Sequence, residues 1–145
     1  MNLRTAYKLA LLFTLVLTIA GLGNAQEKPI KKGPIQPTSP ASGAEMYKAY
    51  CAVCHGPDGK GTGPAAAELK TKPADLSTLA KRHDGKFPTD YVISVLRFGT
   101  TAAAHGTSDM PTWGPLFAVV SGQDKAQVDM RISNLILYLK TLQGK

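Results

Sequence analysis

The sequence predicts an all-α domain. Two stretches repeat apolar residues at helical spacing, Pro88–Phe98 and the run from Asp124 to Leu142. No stretch alternates apolar and polar residues as a strand does, and no internal repeat appears. Gly- and Pro-rich loops separate the helical segments. The 145 residues suggest one domain once an N-terminal leader is set aside. A hydrophobic share of 43% is that of a folded chain and not of a disordered one.

Arg4 and Lys8 precede the uncharged stretch Leu9–Gly23, and Gly23-Asn24-Ala25 ends it with small residues. This is the pattern of a secretory signal cleaved after Ala25, so residues 1–25 are expected to be a signal peptide. The apolar run is short for a membrane span, and an uncleaved anchor is the alternative. Residues 26–40 carry Pro29, Pro34, Pro37 and Pro40 among Lys, Gly, Ser and Thr, and are expected to be an extended linker. If the leader stays, this linker tethers the domain to a membrane. Either way the domain, residues 41–145, is expected outside the cytoplasm, in the periplasm or its equivalent.

Ser42 is placed to N-cap a helix from about Gly43 to Ala52, with Glu45 completing a capping box. A Gly/Pro loop runs from Gly56 to Pro64, followed by weak helical turns at Ala65–Lys72 and Asp75–Lys81. In Pro88–Phe98 the apolar positions are Tyr91, Val92, Val95, Leu96 and Phe98, and Gly99 closes the helix. Thr100–Phe117 reads as irregular. Ser121 and Asp124 open the last helix, whose stripe is Val128, Ile132, Leu135, Leu139 and Leu142. So much loop in so small a domain calls for an added constraint, such as a buried cofactor.

The full chain has 17 basic and 10 acidic residues; from Ala41 onward the balance falls to 12 against 9. The excess is spread and no basic run is interleaved with aromatics, so nucleic acid is not the expected partner. The Lys81–Lys86 turn is read as a solvated face. There is no Ser/His/Asp set and no nucleotide-binding Gly loop, so the chain is not read as an enzyme.

Both cysteines fall in Cys51-Ala52-Val53-Cys54-His55, the C-x-x-C-H signature of c-type haem attachment. Cysteines three apart on adjacent turns present two sulfurs to one edge of a porphyrin, and the next residue offers its imidazole to the iron. A redox dithiol would follow a strand and start a helix. A zinc site would need a close histidine pair, which His83 and His105 do not form. A disulfide across so short a loop stabilises little.

Over residues 41–143 the chain resembles the class I c-type cytochromes. Gly43 and Tyr47 precede the motif at the family's spacing. Gly61-Thr62-Gly63-Pro64 is similar to its post-haem loop, Met110-Pro111-Thr112-Trp113-Gly114 to its methionine loop, and Leu135, Tyr138 and Leu139 to its last helix. The resemblance implies the cytochrome c fold, three to five short helices and long loops wrapped around one covalent haem c. It implies Cys51 and Cys54 as attachment points and His55 as an iron ligand, with its ring N–H given to the Pro64 carbonyl. It further implies that Gly43 and Tyr47 meet Leu135 and Tyr138 where the terminal helices cross.

Met110, on an irregular loop before Pro111, is expected as the second iron ligand, with His105 on the same loop as its rival. Met46 and Met130 lie at helical spacing and are read as packing or surface residues. Trp113 is placed either at the haem edge, near a propionate, or in the core. The function expected is one-electron transfer with redox partner proteins as donor and acceptor. A haem subunit of a larger oxidase or dehydrogenase, or a haem-based ligand sensor, is the alternative.

The leader generates the first test. Intact-mass measurement of the protein from its native host is expected to give a chain starting at Gln26. A mass that includes residues 1–25 would establish the anchored form.

Overall fold

The computed structural model describes residues 35–99 and 110–144. The expected leader, most of the expected linker, and His105 lie outside the described residues. All regular structure among those described is helical, as expected, in five short α-helices: α1 Gly43–Met46, α2 Ala52–His55, α3 Thr89–Phe98, α4 Trp113–Val120 and α5 Lys125–Thr141. None of them is long and apolar enough to cross a membrane.

The first helical segment starts where the sequence places it. Ser42 Oγ accepts from the Glu45 N–H at 3.2 Å, satisfying one of the donors that a helix start leaves open. The reciprocal half of the capping box is displaced: the Glu45 carboxylate accepts from the Ser39 N–H instead. The segment does not stop at Ala52. Between α1 and α2 lies a π turn, Tyr47–Cys51, closed by the Ala52 N–H on the Tyr47 carbonyl. The chain therefore stays helical to His55.

The two weak turns are realised as short 3-10 turns at Ala66–Glu68 and Leu76–Thr78, and a third 3-10 turn, Lys81–His83, follows in the charged stretch. Asp75 caps the second, accepting from the Ser77 N–H at 2.8 Å. Helix α3 ends at Gly99, whose N–H reaches the Val95 carbonyl at positive φ. Of its expected apolar face, Val92 and Leu96 enter the core and Val95 is half-buried, while Tyr91 and Phe98 are exposed.

Helix α4 corrects the expectation that the chain is irregular up to Phe117. Gly114 and Pro115 read as helix breakers, but Pro115 is the third residue of the helix. Its missing N–H has no partner there to lose. Gly114 lets α4 press against α3, since a Cβ there would collide with the Arg97 backbone.

Helix α5 is N-capped by Asp124, which accepts from the Ala126 and Gln127 N–H groups. Ser121 caps the end of α4 and receives the Arg131 Nε at 2.9 Å. The predicted stripe Val128, Ile132, Leu135, Leu139 and Leu142 is buried throughout, together with Ile136. These pack with Met46, Tyr47, Leu96, Trp113 and Phe117 in one core.

Residues 35–40, in the expected linker, are bonded to the folded body. Polar side chains of the folded body hold this stretch. Arg131 gives an N–H to Thr38 Oγ1 and Asn134 gives its amide N–H to the Pro40 carbonyl. The Tyr50 hydroxyl donates to the Gln36 carbonyl at 2.6 Å. A Pro-rich segment buries little by itself, yet its carbonyls are ready acceptors for donors supplied by neighbouring helices.

The terminal helices cross at the predicted glycine. A Cβ on Gly43 would run into the Asn134 carbonyl and stand 2.9 Å from Tyr138 Cβ. One turn on, the Tyr47 and Tyr138 rings meet with centroids 5.2 Å apart. Gly43→Val is therefore expected to destabilise the folded protein by about 1–3 kcal/mol through overpacking. An unchanged denaturant midpoint would show that this crossing carries no close approach.

Candidate functional site

The C-x-x-C-H motif occupies the end of the first helical segment, where the last carbonyls have no intrahelical partner. The following loop supplies donors to three of them. The Ala65 N–H reaches the Val53 carbonyl at 2.9 Å, the Gly63 N–H the Cys54 carbonyl at 3.1 Å, and the Gly61 N–H the His55 carbonyl at 2.8 Å. So close a return needs residues without side chains. A Cβ on Gly63 would collide with the Ala52 and Val53 carbonyls, and one on Gly61, at φ +74, with the Pro73 carbonyl. Farther along, the Leu76 N–H bonds the Gly59 carbonyl at 2.6 Å. Chain 73–76 is thereby laid against the loop.

That arrangement brings the Ala74 carbonyl to His55, 2.9 Å from Nδ1. A carbonyl only accepts, so Nδ1 carries the proton. In the neutral ring the lone pair is then on Nε2. Burial pulls His55 below the usual imidazole range, and the Ala74 carbonyl opposes this only in part. The side chain is thus buried, neutral and fixed in one tautomer, which is the state in which imidazole ligates a metal.

The expected partner Pro64 is not the acceptor. Pro64 is exposed and opens a turn, between Gly63 and Ala65, whose N–H groups bond the motif's own carbonyls. Its position is set by capping the helix, and the carbonyl that meets the ring comes from ten residues farther on. Ala74 was invisible to side-chain reasoning, since a main-chain acceptor has no sequence signature; Pro73 beside it was the available hint.

Cys51 and Cys54 are half-buried thiols, one helical turn apart and next to His55. Burial first, and neighbouring Cys54 second, push the Cys51 thiol up to about 12. Two thiols and a nitrogen lone pair on one helix end fit the attachment and ligation of one haem.

Tyr47 closes the site from the other side. It is 1% exposed, and its hydroxyl donates to the carbonyl of Gly56, the residue after His55, at 2.7 Å. Burial, and then Cys51, hold the hydroxyl far above the usual phenol range, so it remains a donor. The sequence had pointed to Tyr47 as a packing residue only.

Met110 is half-buried at the edge of the core, in the turn before α4. Trp113 is buried with its ring 5.3 Å from that of Tyr50 and 5.5 Å from that of Phe117. It is a member of the core cluster. Tyr50 directly precedes Cys51, so this aromatic cluster backs the motif.

Residues 38–128, more than half of the chain, match the family model described as cytochrome c oxidase, cbb3-type, subunit III, a c-type cytochrome domain. Neither the curated proteins nor the solved structures include a significant match to the chain. The helical fold and the neutral histidine behind two thiols agree with that match: the chain belongs to this family, as a class I mono-haem c-type cytochrome.

Proposed function

We propose that the protein is a one-electron carrier working outside the cytoplasm, with one haem c attached through Cys51 and Cys54 and ligated by His55 and Met110. Haem-based electron transfer is what the family implies. The observation that carries the finer reading is the His55 ring, held by the Ala74 carbonyl with its Nε2 lone pair available.

Bound haem supplies an iron centre that changes oxidation state by one electron. The chain's own residues do the rest. The Nδ1–H···O=C bond fixes the imidazole plane and raises the ring's basicity. The Met110 thioether is neutral and soft, which suits both oxidation states and favours the reduced one relative to a second imidazole. Two thioether links keep cofactor and histidine together. The fold excludes water from His55, which is 8% exposed, and so limits reorganisation when charge changes.

The family description favours a second reading, in which the domain is the haem subunit of a larger oxidase. Both readings require redox partner proteins. A membrane tether, if the leader is retained, suits the second better.

Three variants of the purified mature protein test the ligand set. Cys51→Ala with Cys54→Ala is expected to lose haem stain from the denatured band. Met110→Ala is expected to keep the stain but become high-spin when ferric and bind carbon monoxide when reduced. His105→Ala is expected to behave as wild type. Loss of low-spin character in the His105 variant alone would replace Met110 by His105.

A further inference from the structure

We infer that Tyr47 is a positioning residue for the iron ligand: its buried hydroxyl holds the Gly56 carbonyl, and through it the orientation of His55. This deepens the proposed function and rests on His55 being a ligand.

The first argument is geometric. At about 100° per residue, positions 47 and 56 of an unbroken α-helix lie about 180° apart, on opposite faces. The π turn at Tyr47–Cys51 inserts one extra residue and so takes back about 100° of rotation. The end of the segment swings to the side on which Tyr47 stands. Tyr47 can then meet two demands at once. Its ring packs against Tyr138 on α5, centroids 5.2 Å apart, while its hydroxyl reaches Gly56 at 2.7 Å. Packing against α5 alone requires no π turn and no hydroxyl. Phenylalanine in a regular helix would serve.

The second argument concerns what Gly56 controls. It follows His55 directly, sits at φ +77 and gives its N–H to the Ala52 carbonyl. Its conformation decides how the chain leaves the helix. A Cβ there would press Thr62 Oγ1 and Asp58 Oδ1 at 3.0–3.1 Å, so the position suits a glycine, whose peptide turns readily unless a bond holds it. The His55 imidazole is thus held at two points. Ala74 fixes the ring from the loop, and Tyr47 fixes the backbone that carries it from the helix. Removing the hydroxyl leaves the Gly56 carbonyl buried without that donor, and the peptide is free to rotate towards another. The ring plane follows the backbone.

Haem methyl proton shifts of the oxidised holoprotein read the orientation of the axial imidazole plane directly. Tyr47→Phe is expected to keep the haem stain and the low-spin spectrum. It is expected to change the order or spread of the four haem methyl resonances and to shift the midpoint potential. Tyr138→Leu, which removes the partner ring of the same packing pair, is expected to leave that pattern unchanged. If Tyr47→Phe gives the wild-type methyl pattern, the hydroxyl is merely stabilising and the inference fails. Equal shifts in both variants would overturn it too, by assigning the effect to packing. Should Tyr47→Phe not fold, 3-fluorotyrosine at 47 retains the hydroxyl and strengthens it as a donor. It must move the methyl resonances, and unmoved resonances overturn the inference. A wild-type protein without a low-spin imidazole spectrum would instead refute His55 ligation, which is a separate failure.

Discussion

Three carbonyls at the end of one helical segment govern most of this molecule. Val53, Cys54 and His55 would face solvent or a buried void without partners, and either conflicts with a motif that must be sheltered from water. The chain answers by folding its own Gly-rich loop back over them. Once that return is made, the loop's second half is carried alongside the motif, and a carbonyl from it orients the imidazole. The capping of a helix and the orientation of the His55 ring are therefore one structural event. Glycine at 63 is required by the closeness of the return, and glycine at 61 by its positive φ and the Pro73 carbonyl beside it.

What the sequence disclosed divides along physical lines. The stripe on α5 was legible because burial imposes a period, and each of its five members is in the core. The crossing at Gly43 was legible through the resemblance, and the Asn134 carbonyl explains why no larger residue fits. The cysteine–histidine cluster was legible because its chemistry is local in sequence. Helix α4 was not, because a proline in the first turn looks like a breaker until its position is known. The π turn was not, since one extra residue changes neither composition nor apolar content. Ala74 and the Gly56 carbonyl were not, because main-chain oxygens are the same in every residue. Sequence reasoning thus found the groups that do chemistry and missed the backbone atoms that aim them.

Arg131 shows a comparable division. It lies 2% exposed on the core side of α5, a position that periodicity alone gives to an aliphatic residue. Its Nε and a terminal nitrogen donate to the hydroxyls of Ser121 and Thr38, and Thr38 is linked in turn to Tyr50. Hydroxyl oxygens offset less of the desolvation of a guanidinium than a carboxylate would. The compensation is architectural, because one side chain joins the α4–α5 turn, the N-terminal stretch and the residue beside Cys51. Arg97 and Asp129, half-exposed and 2.6 Å apart, add a link from α3 to α5. Exposed to screening, that pair contributes at most about 1 kcal/mol.

Anchoring residues 35–40 to the folded body also fixes how far the domain can travel. Should the leader stay in a membrane, only residues 26–34 remain between that surface and the first bonded stretch. A fully extended chain covers about 3.3–3.6 Å per residue, which sets a radius of roughly 30 Å instead of the roughly 50 Å of a free tether to residue 40. Such a leash confines the haem edge to partners standing within one domain diameter of the lipid.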